Sequence, residues 1–398
     1  MLEGRQILLG ICGGIAAYKS AELCRALVRQ GARVRTVLTT GAEAFVSPLL
    51  FETLSRDRAF RQRDFLAPQG GLIPHTDLAA WAEAVVVAPA TASFLAKLSR
   101  GEPSDLLTAI IMAFSGPVLL APAMNVNMWR HPATQENVAR LREFGYRVVE
   151  PGEGALACGL SGPGRLPPLE DLLFEIESLL SEKPLSGKRV LITGGPTREP
   201  IDAVRFISNP SSGRMAVALA RAALLLGAEV HLVHGPLSVA PPKGVRTYPV
   251  GRAEEMLAQA RRLFPECEIA ILAAAVCDLA PERGLPGKTP KEDLPRELRL
   301  RPTPDIAREL AAIRRPGQIL VGFALEERER LPERALKKLS EKGFDFLAAN
   351  PLESFEAEDT EVLFFSSQRP SPQVFKGSKE RVALDLLREV ARALCGQT

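Results

Sequence analysis

A chain of 398 residues is longer than a single hydrophobic core usually supports, so two domains are expected. With 50 Lys and Arg against 47 Asp and Glu, the formal charge of +3 argues against a nucleic-acid partner, although local phosphate sites stay open. The six cysteines, at positions 12, 24, 158, 267, 277 and 395, show no CxxC pair or zinc-like spacing and read as reduced thiols.

The opening MLEGRQILLG runs into a strand pattern rather than a basic-apolar leader, and no apolar run is long enough to span a bilayer. The expectation is a soluble, cytoplasmic protein with no membrane partner. RQILLGIC (5–12) reads as a buried parallel strand, SAELCRALVRQ (20–30) as an amphipathic helix and GARVRTVLTT (31–40) as a second strand. Between the first two, GICGGIAAYK (10–19) is glycine-rich and opens a helix, which suits a phosphate at the helix N-terminus. It is not GxGxxG, and Thr39 and Thr40 stand where a dinucleotide fold needs a ribose carboxylate, so a mononucleotide is favoured. PHTDLAAWAEA (74–84) places His75 just ahead of a short helix, and AEAVVVAPA (82–90) is a further strand. APAMNVNMWRHPA (121–133) sets Asn125 in a post-strand loop, and the Gly and Pro of LACGLSGPGRL (156–166) predict a loop carrying Cys158. Taken singly, these are most often a structural histidine, a turn asparagine and a small apolar cysteine.

SEKPLSGK (181–188) reads as a linker, after which the pattern restarts: KRVLITGG (188–195), RMAVALARAALLL (214–226), GAEVHLVHG (227–235). In both halves a Gly-Ala follows the helix, at 31–32 and 227–228, as helix C-termini prefer. TGGPTREPIDAVRFISNPSSGRM (193–215) is a long strand-to-helix loop whose SNPSSG suits phosphate contact, or an ordinary Ser N-cap. CEIAILAAAVCD (267–278) reads as a strand with Asp278 at its carboxyl edge, and LAPERGLPGKTPKEDLP (279–295), with Lys288 and Lys291, as a mobile cover. VGFALE (321–326) ends another strand, and KKLSEKGFDFLAAN (337–350) puts Lys338 and Lys342 one helical turn apart. Alternating strands and helices predict an α/β fold, a parallel doubly wound sheet in each of two domains, 1–182 and 187–398.

GGIAAYK, the His before a WA-containing helix, APAT, PAMN, HPA and ACG-(x)3-GPGR together resemble the flavin-dependent cysteine decarboxylases of coenzyme A biosynthesis, over residues 5–175. The resemblance implies a flavodoxin-like, Rossmann-like homo-oligomer that binds FMN and decarboxylates 4′-phosphopantothenoylcysteine. It implies His75 as base, Asn125 as holder of the substrate carboxylate and Cys158 as proton donor. FMN contacts would fall on Cys12, Gly13, Gly14, Ile15, Thr39, Thr91 and Ser93. Cys12 stands where Ser or Thr is usual, Ser93 where Asn is common, and Leu166 where Met is frequent.

GPTREP, RFISNPSSGRM, AAAVCD, VGFA-x-E and LAAN, over about 187–368, resemble the CTP-dependent phosphopantothenate–cysteine ligases. This implies 4′-phosphopantothenate, cysteine and CTP with Mg2+ as small-molecule partners, the metal ligands being unknown. Asn209 would support an acyl-cytidylate and Lys288 act on the CTP phosphates. Ser211, Ser212, Gly213, Ala273, Ala274, Asp278, Pro304, Asp305, Ile306, Ala307, Phe323, Lys338 and Lys342 would line the substrate site. Leu279 follows Asp278 where an aromatic is common, and KTPKEDL is a thinner lysine cluster than usual. Fused in this order, the halves resemble the bifunctional enzymes of coenzyme A biosynthesis, with trimer-based flavin domains, dimeric ligase domains and assembly up to a dodecamer.

Two alternatives use the same fold: an NAD(P)-binding oxidoreductase and a non-catalytic regulatory flavoprotein. The missing GxGxxG speaks against the first, and the joint presence of His75, Asn125 and Cys158 against the second.

Overall fold

The computed structural model describes residues 2–66, 73–157, 159–354 and 359–396. Two compact units divide the chain, Met1–Ser181 and Glu182–Thr398.

In the first unit, β1 (Gln6–Ile11), β2 (Arg33–Leu38), β3 (Ala59–Arg61), β4 (Ala84–Ala90), β5 (Val118–Pro122) and β6 (Arg147–Val148) pair in parallel. Their order is β3-β2-β1-β4-β5-β6. β4 is buried at every position, because helices cover both faces of a parallel sheet and leave no solvent side for polar residues. Successive side chains of β1 alternate between two cores: Ile7, Leu9 and Ile11 pack with Leu23, Phe51 and Ile176, while Leu8 packs with Phe94, Leu107 and Leu141. The first helix, Ala17–Arg29, begins earlier than its apolar pattern suggests and ends at Gly31, whose φ of 83° is the left-handed C-terminal turn. Gly227 repeats that turn in the second unit at φ 92°.

The stretch read as loop, 156–166, contains a strand instead. β7 (Gly152–Ala155) and β8 (Ser161–Arg165) form an antiparallel hairpin. Gly154, Gly162 and Gly164 adopt φ of 139°, 147° and 151°, a backbone region that side chains disfavour, so here the glycines make the ribbon rather than break it.

The second unit carries β9 (Arg189–Gly194), β10 (Arg198–Pro200), β11 (Phe206–Ser208), β12 (Glu229–His234), β13 (Arg246–Pro249), β14 (Ile269–Leu272), β15 (Leu279–Pro281) and β16 (Leu300–Pro302). It continues with β17 (Ile319–Glu326), β18 (Phe346–Pro351), β19 (Asp359–Ser366) and β20 (Arg369–Ser378). Eight of these make one sheet, ordered β13-β12-β9-β14-β17-β18-β19-β20. It is parallel as far as β18, and β19 and β20 extend it antiparallel, an edge the sequence pattern did not announce. Both units are thus doubly wound α/β, as expected. The strand predicted over 267–278 is shorter: β14 stops at Leu272, and only the bridge between Pro196 and Ala275 prolongs the ladder. Asp278 therefore lies beyond the strand edge, at the end of a loop. In each unit the chain reverses its winding direction beside the first strand, between β1 and β4 and between β9 and β14. A crevice opens at such a point beyond the carboxyl ends of the strands.

Candidate functional sites

At the carboxyl ends of β1, β2 and β4, three loops of the first unit converge. A Cβ on Gly13 would lie 2.5 Å from the Gly41 carbonyl carbon, so glycine lets the exits of β1 and β2 touch backbone to backbone. Thr39 ties the same two strands, its Oγ1 donating to Ile11 O at 3.3 Å, and stands just before the short helix Thr40–Glu43 without a side-chain capping bond. Thr91 caps the helix Ala92–Ser99 by accepting from Phe94 N at 3.3 Å, with Ser93 exposed in its first turn. Gly14 lies beside Thr91, and Ile15 is 62% exposed. These residues are of the type that could hold a flavin phosphate and ring. Cys12 departs from that role. Its side chain is buried among Val37, Leu78 and Phe94, its N–H donates to Pro89 O, and burial pushes its thiol up to about 12, only partly offset by hydrogen bonding with Thr91. A phosphate contact expected at this position is therefore not made by the thiol.

His75 lies inside the helix Pro74–Trp81 rather than ahead of it. Its ring stands edge-on to Phe65 at 5.7 Å, and its Nδ1 is buried with no hydrogen-bond partner among the described residues. A buried imidazole nitrogen left in that state is costly, which is a reason to look for a ligand there. Asn125 caps the helix Val126–Arg130, its Oδ1 accepting from Asn127 N at 2.8 Å. β8 rests on the loop that carries Asn125: Met124 N donates to Gly164 O at 3.0 Å, and a Cβ on Gly164 would sit 2.3 Å from Met124 O. Cys158 lies outside the described residues. Around it, Leu156 N donates to Leu160 O at 2.8 Å, and Gly159 turns at φ 82°.

In the second unit, the long loop after β9 carries the short hairpin β10–β11 and ends at Gly213, whose φ of 71° starts the helix Arg214–Leu225. The N-cap is Gly213 rather than a serine, although Ser211 Oγ accepts from Gly213 N at 3.4 Å and Ser212 Oγ from Arg214 N at 3.5 Å. Asn209 is exposed, and its Nδ2 donates to Val276 O at 3.0 Å. Ala273 and Ala274 begin the loop leaving β14, with Ala273 N bonded to Thr193 O, and the loop ends at the exposed Asp278. Pro304 and Asp305 precede the helix Ile306–Ala312, which Asp305 caps through Arg308 N. Ile306 turns its side chain into the core, only 6% exposed with Ala307 against it, so a contact to substrate at this position would fall to its backbone and not to its side chain.

Lys338 and Lys342, read as a pair, have separate partners. Lys338 Nζ donates to Phe323 O at 2.9 Å, whereas Lys342 is paired with the Asp305 carboxylate. Burial lowers the Lys338 ammonium below its ordinary value, and the Lys342 charge lowers it further. Burial works the other way on Asp305, but its hydrogen bonds from Lys342 and Arg308 N outweigh it and hold the carboxyl below the usual range.

Lys288 is exposed on the segment between β15 and β16. That segment, read as a mobile cover, is tied to the β10–β11 turn: Leu285 N donates to Ile201 O at 2.7 Å, Ala203 N to Gly287 O at 2.9 Å, and Arg205 Nη1 to Thr289 O at 3.1 Å. Arg205 also pairs with the buried Asp202, a contact that nothing in the sequence spacing singles out.

Among the described residues, no group of three or more His, Cys, Asp or Glu is placed to hold a metal ion, and no helix is long and apolar enough to cross a membrane. A cavity lined by Thr76, Glu83, Phe114 and Gly116 opens at the amino ends of β4 and β5, the far edge from the site loops.

Residues 1–181 match the Flavoprotein family model, and 185–394 match that of the DNA/pantothenate metabolism flavoprotein C-terminal domain. The chain is 41% identical over 406 residues to the coenzyme A biosynthesis bifunctional protein CoaBC of Bacillus subtilis, covering 100% of this chain and 99% of that protein. It is 39% identical over 397 residues to the protein of the same name from Vibrio cholerae, covering 98% and 99%. The crystal structure of a CoaBC C-terminal domain is 34% identical and covers 54% of this chain and 100% of its own, with a TM-score of 0.46. Matched along its whole length by relatives of this kind, with a flavoprotein domain first and a pantothenate-metabolism domain second, the chain belongs to the bifunctional proteins of coenzyme A biosynthesis.

Proposed function

We propose that this is a two-site enzyme in which the second unit joins 4′-phosphopantothenate to cysteine at the expense of CTP, and the first decarboxylates the product to 4′-phosphopantetheine. What supports the reading is that the loops leaving β1, β2, β4 and β5, and those leaving β9, β14 and β17, open at the carboxyl edge where each unit reverses winding.

The glycine contact between residues 13 and 41 and the orphaned His75 Nδ1 fit a flavin with its phosphate at the opening of the first helix. Bound FMN supplies two-electron chemistry at the cysteinyl carbon–sulfur unit, without which loss of carbon dioxide would leave an unstabilised carbanion. The backbone of Gly13, Gly14 and Ile15 would hold the phosphate, with Thr39, Thr91 and Ser93 around it. His75 would take the substrate proton, Asn125 orient the carboxylate, and Cys158 return a proton at the end.

In the second unit, a phosphopantothenate carboxylate oxygen attacks the α-phosphorus of CTP and pyrophosphate leaves. The cysteine amine then attacks the acyl carbon and CMP leaves. Lys288, Lys338 and Lys342 would offset phosphate charge, with Mg2+ arriving on the nucleotide. Asn209 would hold the acyl-cytidylate between the two steps. Ser211, Ser212, Gly213, Ala273, Ala274, Asp278, Pro304, Asp305, Ala307 and Phe323 would surround these groups.

A cytoplasmic homo-oligomer belongs to the reading, supported by Ile15, Phe45 and Leu49, exposed at 62%, 51% and 68% near the flavin loops. The test is product analysis by mass spectrometry with phosphopantothenate, cysteine and CTP together. Yellow protein, pyrophosphate and phosphopantetheine are expected; a colourless protein that releases no pyrophosphate would sink the proposal.

A further inference from the structure

Beyond β14 the chain runs from Ala273 to Asp278 without a strand, yet its backbone polar groups still need partners. Ala273 N and Ala275 N reach Thr193 O and Gly195 O, which exhausts the ladder to β9. The next residues are held by two threonines. Thr197, fully buried, accepts the Cys277 N–H on its Oγ1 at 3.0 Å, and Thr303 Oγ1 donates to the Cys277 carbonyl. Thr303 N also donates to Asp278 O at 3.0 Å. One residue is thus gripped from both sides by hydroxyls from different loops.

The grip reaches the candidate site in two directions. Val276, just before Cys277, accepts the hydrogen bond from Asn209 Nδ2. Ser208, just before Asn209, donates its Oγ to Thr197 O at 2.8 Å. Thr197 N donates to Ala275 O at 3.3 Å. Thr197 therefore holds both the strand end that carries Asn209 and the loop on which the Asn209 amide rests. Thr303 holds the peptide that presents Asp278.

We infer that Thr197 and Thr303 are positioning residues of the ligase site, Thr197 setting the Asn209 amide for the amide-forming step and Thr303 setting Asp278 for CTP. The inference rests on the ligase reading above. Valine has nearly the shape of threonine but cannot accept the Cys277 N–H or donate to its carbonyl. Losing a buried partner of this kind corresponds to roughly a 10- to 100-fold change in rate or affinity.

The experiment uses the full chain and follows pyrophosphate and amide product together. For Thr197→Val, pyrophosphate should outrun amide while turnover falls about tenfold or more. For Thr303→Val, the KM for CTP should rise about tenfold, with the product ratio kept near one. Ser at either position should recover most of the loss, because the hydroxyl returns. Thermal unfolding of each variant reports whether the second unit, which carries both threonines, still folds. If Thr197→Val unfolds, Thr197→Ala is read by the same ratio of pyrophosphate to amide, and Thr303→Val tests the other threonine alone. A wild-type chain that makes no amide from CTP overturns the ligase reading itself. Active wild type matched by both Val variants in rate, KM and product ratio, or Ser no better than Val, overturns the positioning role alone.

Discussion

Lys338 lies in the helix Leu331–Glu341 and Lys342 at its C-cap, but they differ in charge environment, and the difference decides what each can do. Lys342 is spoken for by Asp305, whereas the half-buried Lys338 donates to a carbonyl, that of Phe323. An anion arriving beside Lys338 replaces lost hydration and restores the preference for the charged form. Because its pKa lies below the ordinary 10.5, Lys338 loses its proton earlier on the alkaline side than a surface lysine. The KM for CTP should therefore rise with pH at a midpoint below 10.5. Lys338→Arg, which keeps its charge, should remove that limb, while Lys338→Met should raise KM about tenfold at pH 8. Steady-state kinetics across pH 7 to 10.5 check this, and an alkaline limb unchanged in the Arg variant would rule Lys338 out as its source. The residue types at these positions were readable from the motif. Their pairing was not, since helical spacing places two lysines on one face without saying which carbonyl or carboxylate lies opposite.

At the scale of elements, the β7–β8 hairpin shows glycine serving close approach rather than looseness. Gly164 holds φ 151° with no room for a Cβ against Met124 O, and a Cβ on Gly162 would lie 3.0 Å from the Val126 side chain. The hairpin is seated on the loop of Asn125 through these contacts, so its position and that of Asn125 are linked. Gly164→Ala should cost about 1–3 kcal/mol through overpacking and an unfavourable φ. It should also slow decarboxylation with FMN retained, as read by flavin absorbance, thermal unfolding and carbon dioxide release. Loss of stability with an unchanged rate would leave the hairpin purely structural. Composition predicted a loop here because local preference disfavours Gly and Pro in strands; pairing and a neighbouring backbone overrode it. The same limit explains the early end of β14, where alanines continue the apolar run but the chain leaves the sheet for Thr197 and Thr303.

Over the whole molecule, each unit carries its own sheet, core and site loops. A chain cut after Ser181 should give a yellow fragment 1–181 and a fragment 182–398 that releases pyrophosphate with CTP and phosphopantothenate. Co-purified flavin absorbance and pyrophosphate assay of the two pieces check it, and an insoluble fragment would show that one core depends on the other. The alternation of parallel strands and helices, the restart at 188 and the motif loops after those strands could be read in one dimension, whereas the β7–β8 hairpin and the antiparallel β19–β20 edge could not. The readable features depend on periodicity, helix-ending glycines and runs of apolar residues, which are local properties of the chain. Four further features could not be read in this way: the inward turn of the Cys12 thiol, the burial of Ile306, the anchoring of the Lys288 segment to residues 201–205, and the threonine grip on Cys277. Each depends on which distant backbone or side chain fills the space beside a residue, and that neighbour is chosen by the packing of loops far apart in sequence.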